Sequence, residues 1–126
     1  NESRKFICRN VQLKPVSRTA CLSREIDSNS AITIPIAHGD GNYFIDDDGL
    51  KRLQDQDQIL FRYCDENGKV NPWSNPNGSI DSIAGVANDA MNVFGMMPHP
   101  ERAASSDLGN TDGAQILSGL AALIEA

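Results

Sequence analysis

The sequence lacks three features that would place a chain in a class at once: a long apolar segment, an excess of basic residues and paired cysteines. No apolar run approaches the ~20 residues of a membrane span, so a membrane protein is not expected. The net charge of -6 argues against a nucleic-acid or anionic-membrane surface. Three cysteines without paired spacing are typical of reduced thiols. We therefore expect a cytoplasmic protein.

A signal peptide and a starting methionine are also missing. The first ten residues, "NESRKFICRN", are polar and charged, unlike a secretory leader. The absence of methionine leaves open that the natural N-terminus lies elsewhere. A chain of 126 residues forms one domain at most and can bury roughly two thirds of its unfolded surface.

Strand patterns outnumber helical ones. "KFICRNVQL" alternates apolar and polar residues, which predicts a half-buried strand. "AITIPIAHGDGNYFI" predicts two strands joined at a glycine-rich corner, and Pro35 inside the first favours an edge position. "QILFRYCD" predicts a further strand, and "SIAGVAND" with "NVFGMM" a hairpin. The segments "DDDGLKRLQDQ" and "DGAQILSGLAALIEA" predict helices, the second burying Ile116, Leu117, Leu120 and Ile124. The pattern indicates an α+β fold or part of an α/β sheet.

The segment "GMMPHPERA" contains the strongest candidates for catalytic residues. His99 lies between two prolines, and Glu101 follows it by two residues. Proline disfavours the helical conformation of the residue before it, so Pro100 should hold His99 extended. Residues two apart in an extended segment project to the same side. A carboxylate beside an imidazole can orient the ring and stabilise its charged form. The alternative is a surface loop whose His99 and Glu101 merely contact solvent.

A second pair, His38 and Asp40 in "AHGDG", has the same spacing. Together with His99 and Glu101 it could form a metal site of two imidazoles and two carboxylates. Two other interpretations stay open. The glycines can permit a tight corner, or they can let a ligand approach the backbone closely.

None of the cysteines has the setting of a nucleophile, which is usually a sharp turn between small residues or a helix N-terminus. Cys8 lies inside an alternating strand, Cys64 closes a strand, and Cys21 has no glycine near it. We expect all three to be small packing residues. The chain thus offers a base and an orienting group without a convincing nucleophile.

Five segments, taken in order, resemble one family: "FICR", "IPIAHGDGNY", "NPNGS", "IAGVAN" and "GMMPHPERA". The family is the glutamine amidotransferase component of phosphoribosylformylglycinamidine synthase, and the resemblance covers nearly the whole chain. It implies an α/β, class I amidotransferase-like fold with a flavodoxin-like sheet. Residues 1–126 would be the C-terminal portion of a single domain of this kind, with mixed parallel and antiparallel strands.

The resemblance also implies which residues act. His99 matches the family's catalytic histidine and Glu101 its orienting glutamate. Gly39, Asp40 and, less directly, His38 match the corner beside bound glutamine, and no metal ligand is implied. The family's cysteine nucleophile lies upstream of the segment matched by "FICR", so Cys8 is not that residue. We therefore expect this chain alone to be inactive.

In the family, glutamine hydrolysis supplies ammonia for converting formylglycinamide ribonucleotide to the amidine in purine biosynthesis. The implied partners are a large synthetase subunit, which binds ATP and magnesium, and a small accessory subunit. No cofactor is implied for this chain, and neither nucleic acid nor a membrane is an expected partner. Two alternatives remain: a non-catalytic partner-binding module with the same fold, and a metal-dependent hydrolase.

Overall fold

The computed structural model describes residues 1–125 of the chain. These residues form five strands and two α-helices. In chain order they are β1 (Ile7–Pro15), β2 (Ile32–His38), α1 (Asp47–Asp55), β3 (Ile59–Cys64), β4 (Ile83–Ala87), β5 (Phe94–Met96) and α2 (Asp112–Glu125). None of the helices in this part of the chain has the length and apolar character that crossing a bilayer requires.

The five strands form one sheet in the order β2-β1-β3-β4-β5. Every pairing among the described residues is antiparallel, which corrects the expected mixture of parallel and antiparallel strands. Parallel neighbours need a long crossover connection, usually a helix. Here α1 joins β2 to β3, which are not neighbours, while the predicted hairpin joins β4 directly to β5.

Alternation along β1 sends one side of the strand into the core. Val11 and Leu13 are buried, whereas Cys8 and Asn10 on the other side are exposed. The main core joins these residues to the isoleucines of β2, to Phe61 of β3 and to α2. A smaller apolar cluster holds α1 against the sheet through Leu53. The Asp46 carboxylate caps that helix by accepting from the Gly49 amide at 2.8 Å.

Strand β2 lies at the edge of the sheet, as Pro35 predicts. The prediction of a second strand after the glycine corner is wrong, because residues 42–46 form no strand. Their backbone bonds to a loop instead. The Tyr43 amide donates to Ser79 Oγ at 3.0 Å, and the Tyr43 carbonyl accepts from the Ile80 amide at 2.9 Å.

The sheet is curled so that its two ends approach each other. The Met97 amide donates to Ala84 of β4, and the His99 amide donates to Pro35 of β2. The step from Met97 to His99 spans two residues and therefore at most about 7 Å. In a flat sheet, β4 and β2 would lie three strand spacings apart, a separation of roughly 14 Å. The curl lets the chain leave β5 and reach the outer edge of β2 within two residues.

Helix α2 packs on β2 and on the turn that follows His99. Ile116 is 1% exposed and Leu117 and Leu120 are half-buried, but Ile124 is 79% exposed. The predicted apolar face is therefore right for the first three turns and wrong at Ile124, because the surface that α2 covers ends before the helix does.

Candidate active site

His99 and Glu101 are in contact. The His99 Nδ1 atom lies 2.8 Å from Glu101 Oε1, so the ring donates its Nδ1 proton to the carboxylate. The side chain of His99 is 33% exposed and that of Glu101 is 59% exposed. This hydrogen bond fixes the neutral tautomer and leaves Nε2 with a free lone pair. A partly exposed imidazole in this state can accept a proton from an incoming group.

The route by which the two side chains meet differs from the expected one. His99 has φ -106° and ψ 88°, outside the helical region, as Pro100 requires. Glu101, however, lies in a 3-10 turn, Pro100–Ala103, rather than in an extended segment. The Arg102 amide donates to the His99 carbonyl at 3.1 Å and closes this turn. The turn folds the carboxylate back beside the ring, so contact does not require a shared strand face.

The Glu101 carboxyl is held in its charged form. Partial burial acts to raise its pKa, but hydrogen bonds from its own backbone and from His99, together with the charges of His99 and Arg102, outweigh that effect and lower the pKa. A carboxylate ionised over a wider pH range keeps accepting the Nδ1 proton of His99. The pair therefore stays oriented in mildly acidic as well as neutral solution.

The glycine corner after β2 is held by Asn1. The Asn1 Oδ1 atom accepts from the Gly41 amide at 3.0 Å and lies 2.8 Å from His38 Nδ1. Its Nδ2 atom donates to the His38 carbonyl at 2.9 Å. A Cβ on Gly41 would fall 2.3 Å from the His38 ring, so only glycine fits at this position. Asp40 is exposed at the tip of the corner.

His38 is buried and neutral. Burial is the largest cause that lowers its pKa, and the charge of His99 acts in the same direction. The Nδ1 proton is directed to Asn1, so Nε2 is an acceptor, and within residues 1–125 it has no hydrogen-bond partner. The structure thus places His38 behind the corner, whereas Asp40 lies on its outer surface.

The "NPNGS" loop also holds the glycine corner, through hydrogen bonds of Asn77. Asn77 is 1% exposed, and its Nδ2 atom donates to the Gly41 carbonyl at 2.8 Å. Its Oδ1 atom accepts from Ser79 Oγ at 2.7 Å. Neither Asn77 nor Asn1 was predicted to belong to the site. Turn chemistry in "NPNGS" marks the loop, but no local signal shows that the loop reaches residue 41.

The corner borders a pocket of about 380 Å³. Apolar groups dominate its walls, which come from the corner and from β4 and β5. The lining includes Asp40, Tyr43, Ala84, Gly85, Met96 and Met97. His99 and Glu101 are not among the lining residues, although Met97 lies two positions before His99. The curl of the sheet therefore brings the histidine turn, which is the 3-10 turn Pro100–Ala103 after His99, to a position near the glycine corner that follows β2.

The structure does not assemble the metal site considered above. Nowhere in residues 1–125 do three histidine, cysteine or acidic side chains group as metal ligands. His38 is buried with its Nδ1 atom beside Asn1, Asp40 is exposed at the tip of the corner, and Glu101 is bonded to His99. This removes the structural basis for a metal-dependent hydrolase built on these four residues.

The cysteines differ in exposure. Cys21 and Cys64 are buried, as predicted, and burial raises the pKa of the Cys64 thiol to about 11. Cys8 is exposed, so the expectation that it packs is wrong, because it lies on the side of β1 opposite to Val11 and Leu13. Burial leaves neither thiol accessible for nucleophilic attack on a substrate.

The sequence profile of the CobB/CobQ-like glutamine amidotransferase domain matches residues 1–124. The chain is 50% identical over 119 residues to the phosphoribosylformylglycinamidine synthase subunit PurQ of Sulfurimonas denitrificans, covering 94% of this chain and 52% of that relative. It is 45% identical over 116 residues to the same subunit of Aquifex aeolicus, covering 92% of this chain and 51% of that relative.

Among solved structures, the PurLQS complex from Thermotoga maritima contains a similar chain. The TM-score is 0.75 at 35% identity, with 98% of this chain and 50% of that chain covered. This similarity confirms the expected α/β fold class. The chain spans about half the length of the relatives it matches.

Proposed function

Because this chain belongs to the CobB/CobQ-like glutamine amidotransferase domain family, we propose that it supplies the general base of a glutaminase, His99, and the carboxylate that orients it, Glu101. The observation that carries the proposal is the 2.8 Å hydrogen bond between His99 Nδ1 and Glu101 Oε1. It leaves the Nε2 lone pair available and places it on a turn with partial access to solvent.

The proposed chemistry uses His99 twice. A cysteine thiol contributed by the remainder of the full-length protein transfers its proton to His99 Nε2, and the thiolate attacks the side-chain amide carbon of glutamine. The imidazolium then protonates the leaving nitrogen, so ammonia departs and a glutamyl thioester remains. Water, deprotonated by His99, hydrolyses the thioester to glutamate and regenerates the thiol. Glu101 stabilises the imidazolium at each stage.

We propose that the glycine corner contacts the glutamine substrate. Gly39 and Asp40 are accessible at the corner, and its backbone is fixed from behind by Asn1 and Asn77. A backbone held in this way can present amide and carbonyl groups to a polar ligand with a smaller entropic cost of ordering the loop on binding. The role of His38 is to support this backbone from the buried side.

The names of the relatives support a place in purine biosynthesis. We propose that residues 1–126 form the C-terminal portion of a single amidotransferase domain and that its ammonia is used by a synthetase. The synthetase would convert formylglycinamide ribonucleotide to the amidine, with ATP and magnesium bound to it rather than to this chain. The similarity to a chain of the PurLQS complex supports a large synthetase partner, and a small accessory subunit is part of the same proposal.

The test is glutamine hydrolysis by the full-length protein in the presence of its synthetase, measured as released ammonia. We expect His99→Ala to lower kcat by about 10²- to 10⁴-fold, the usual contribution of general acid–base catalysis. Glu101→Gln should cause a smaller loss, since it removes only the orienting charge. Asp107→Asn is the matched control, because this exposed carboxylate lies in the next turn. Activity that survives His99→Ala would contradict the proposal.

The same experiment tests the non-catalytic alternative. A partner-binding module would co-purify with the synthetase without hydrolysing glutamine, and His99→Ala would leave that association unchanged. Glutamine-dependent ammonia release by the unaltered protein would exclude it.

A further inference from the structure

The segment that carries His99 is held to the edge of β2 at its backbone. The His99 amide donates to the Pro35 carbonyl at 2.9 Å. Farther along, the Asn110 Nδ2 atom donates to the Thr33 carbonyl at 2.7 Å. The Thr33 amide donates to Asp112 Oδ2 at 2.8 Å. The same edge strand therefore holds both the histidine and the start of α2.

Asp112 is the first residue of α2, but its carboxylate is bonded to β2 rather than capping its own helix. An acidic side chain in the first helical turn is ordinarily stabilised by the partial positive charge of the free amides there. Here it fixes the beginning of the helix to the sheet.

Gly113, the next residue, brings α2 into direct contact with the histidine turn. A Cβ at this position would lie 2.0 Å from the Pro100 carbonyl oxygen and 2.9 Å from that of Ala103. Both atoms belong to the turn that places Glu101 beside His99. Any side chain at residue 113 must push this turn away from the helix.

We propose that Gly113 and the first turn of α2 form a seat that positions His99 and Glu101 for catalysis. Gly113 is a positioning residue, since it touches the turn and not the substrate. This inference rests on the function proposed above for His99. It adds that the rate of hydrolysis depends on how closely the helix approaches Pro100.

Gly119 offers a matched control within the same helix. A Cβ at Gly119 would lie 2.0 Å from the Cys21 carbonyl oxygen, the same distance as at Gly113, but the contact is with the loop after β1. Both substitutions to alanine add one methyl group, and both gain the same helix propensity. Only the Gly113 substitution displaces the turn that carries the catalytic pair.

The experiment compares Gly113→Ala with Gly119→Ala in the full-length protein with its synthetase. We expect Gly113→Ala to lower kcat for glutamine hydrolysis by about 10- to 100-fold, because a displacement near 1 Å of a catalytic group has effects of this size. The KM for glutamine should change by less than about twofold. Gly119→Ala should keep kcat within about threefold of the unaltered protein.

A second readout is independent of activity. In the unaltered protein the hydrogen bond to His99 helps to lower the pKa of Glu101. An NMR titration of the Glu101 carboxyl should show this pKa rising in Gly113→Ala and unchanged in Gly119→Ala. If the unaltered protein proves inactive, the proposed function fails, and this titration still tests the seat.

Equal kcat and an equal pKa of Glu101 in the two glycine variants would overturn the proposal. If Gly113→Ala does not fold, a second variant, Asp112→Ala, replaces it in the test. Asp112→Ala removes the bond to the Thr33 amide without adding volume. We expect it to lower kcat by at least about threefold at constant KM, and unchanged kcat in folded Asp112→Ala would contradict the seat.

Discussion

Asn77 links the stability of this fold to the geometry of the glycine corner, and its replacement by alanine gives a sharp test of that link. The side chain is 1% exposed. It donates to the Gly41 carbonyl at 2.8 Å and accepts from Ser79 Oγ at 2.7 Å. Truncation removes these two bonds, a third from the Ser79 amide to Asn77 Oδ1 at 3.1 Å and a long contact from Nδ2 to Tyr63 Oη at 3.4 Å. Buried polar groups of Gly41 and Ser79 are then left short of partners.

The expected magnitude follows from these contacts. Each hydrogen bond contributes about 1 kcal/mol net, and a stranded buried group costs about 1–3 kcal/mol. The Gly41 carbonyl keeps only a long contact of 3.5 Å from Ser79 Oγ. We therefore expect Asn77→Ala to lower the free energy of unfolding by about 3 kcal/mol. The bonds to the Asn77 backbone carbonyl from Asn42 and Glu2 are retained.

The assay is urea unfolding of the full-length protein, followed by far-UV circular dichroism. Asn67→Ala is the control, because Asn67 is exposed and, within residues 1–125, forms hydrogen bonds only through its backbone amide. It should change stability by less than about 0.5 kcal/mol. Equal stability of the two variants would refute the reasoning. Hydrogen exchange gives a local check, since the Gly41 and Tyr43 amides should lose protection in Asn77→Ala alone.

Two further predictions concern other parts of the fold. One oxygen of Asp57 accepts from the Ser17 hydroxyl and from the amide and hydroxyl of Thr19. Burial acts to raise the pKa of Asp57, but these bonds outweigh it and lower the pKa. Its stabilisation is therefore present above pH ~4 and is lost as pH falls through the folded-state pKa. Asp57→Asn should be about 1 kcal/mol less stable at pH 7, and the difference should shrink as pH falls below ~4; a constant difference in urea unfolding would contradict this. For the thiols, exposed Cys8 should react with an aromatic disulfide reagent in the native state and buried Cys64 only after unfolding. Equal native-state rates at the two thiols would contradict the assigned burial.

Local patterns were enough to predict the five strands that form, together with one that does not, and the pairing of His99 with Glu101. Alternation in β1, the edge position of Pro35 and the Asp46 cap all follow from rules that act over a few residues. The prolines around His99 likewise act on their immediate neighbours. The predicted backbone path between His99 and Glu101 nevertheless differed from the structure, because Glu101 reaches the ring through a 3-10 turn rather than along an extended segment.

Contacts between distant segments were not predicted. The loop after β1 shows no period, yet it contributes four buried apolar residues to the core: Ala20, Cys21, Leu22 and Ile26. The attachment of residue 43 to Ser79 and Ile80 replaced a predicted strand. Each of these outcomes depends on what another part of the chain presents, which a window of neighbouring residues does not contain.

The sequence by itself determined the family resemblance, the two helices and the five strands that form, and the contact between His99 and Glu101, because these depend on residue types and motifs at short spacing. Only the tertiary structure decided that all described strand pairs are antiparallel, that His38, Asp40, His99 and Glu101 do not group as metal ligands within residues 1–125, and that Gly113 lies against Pro100. The physical reason is that curl, edge pairing and close helix approach are set by packing between segments far apart in the chain, where sterics and burial act on the whole fold at once.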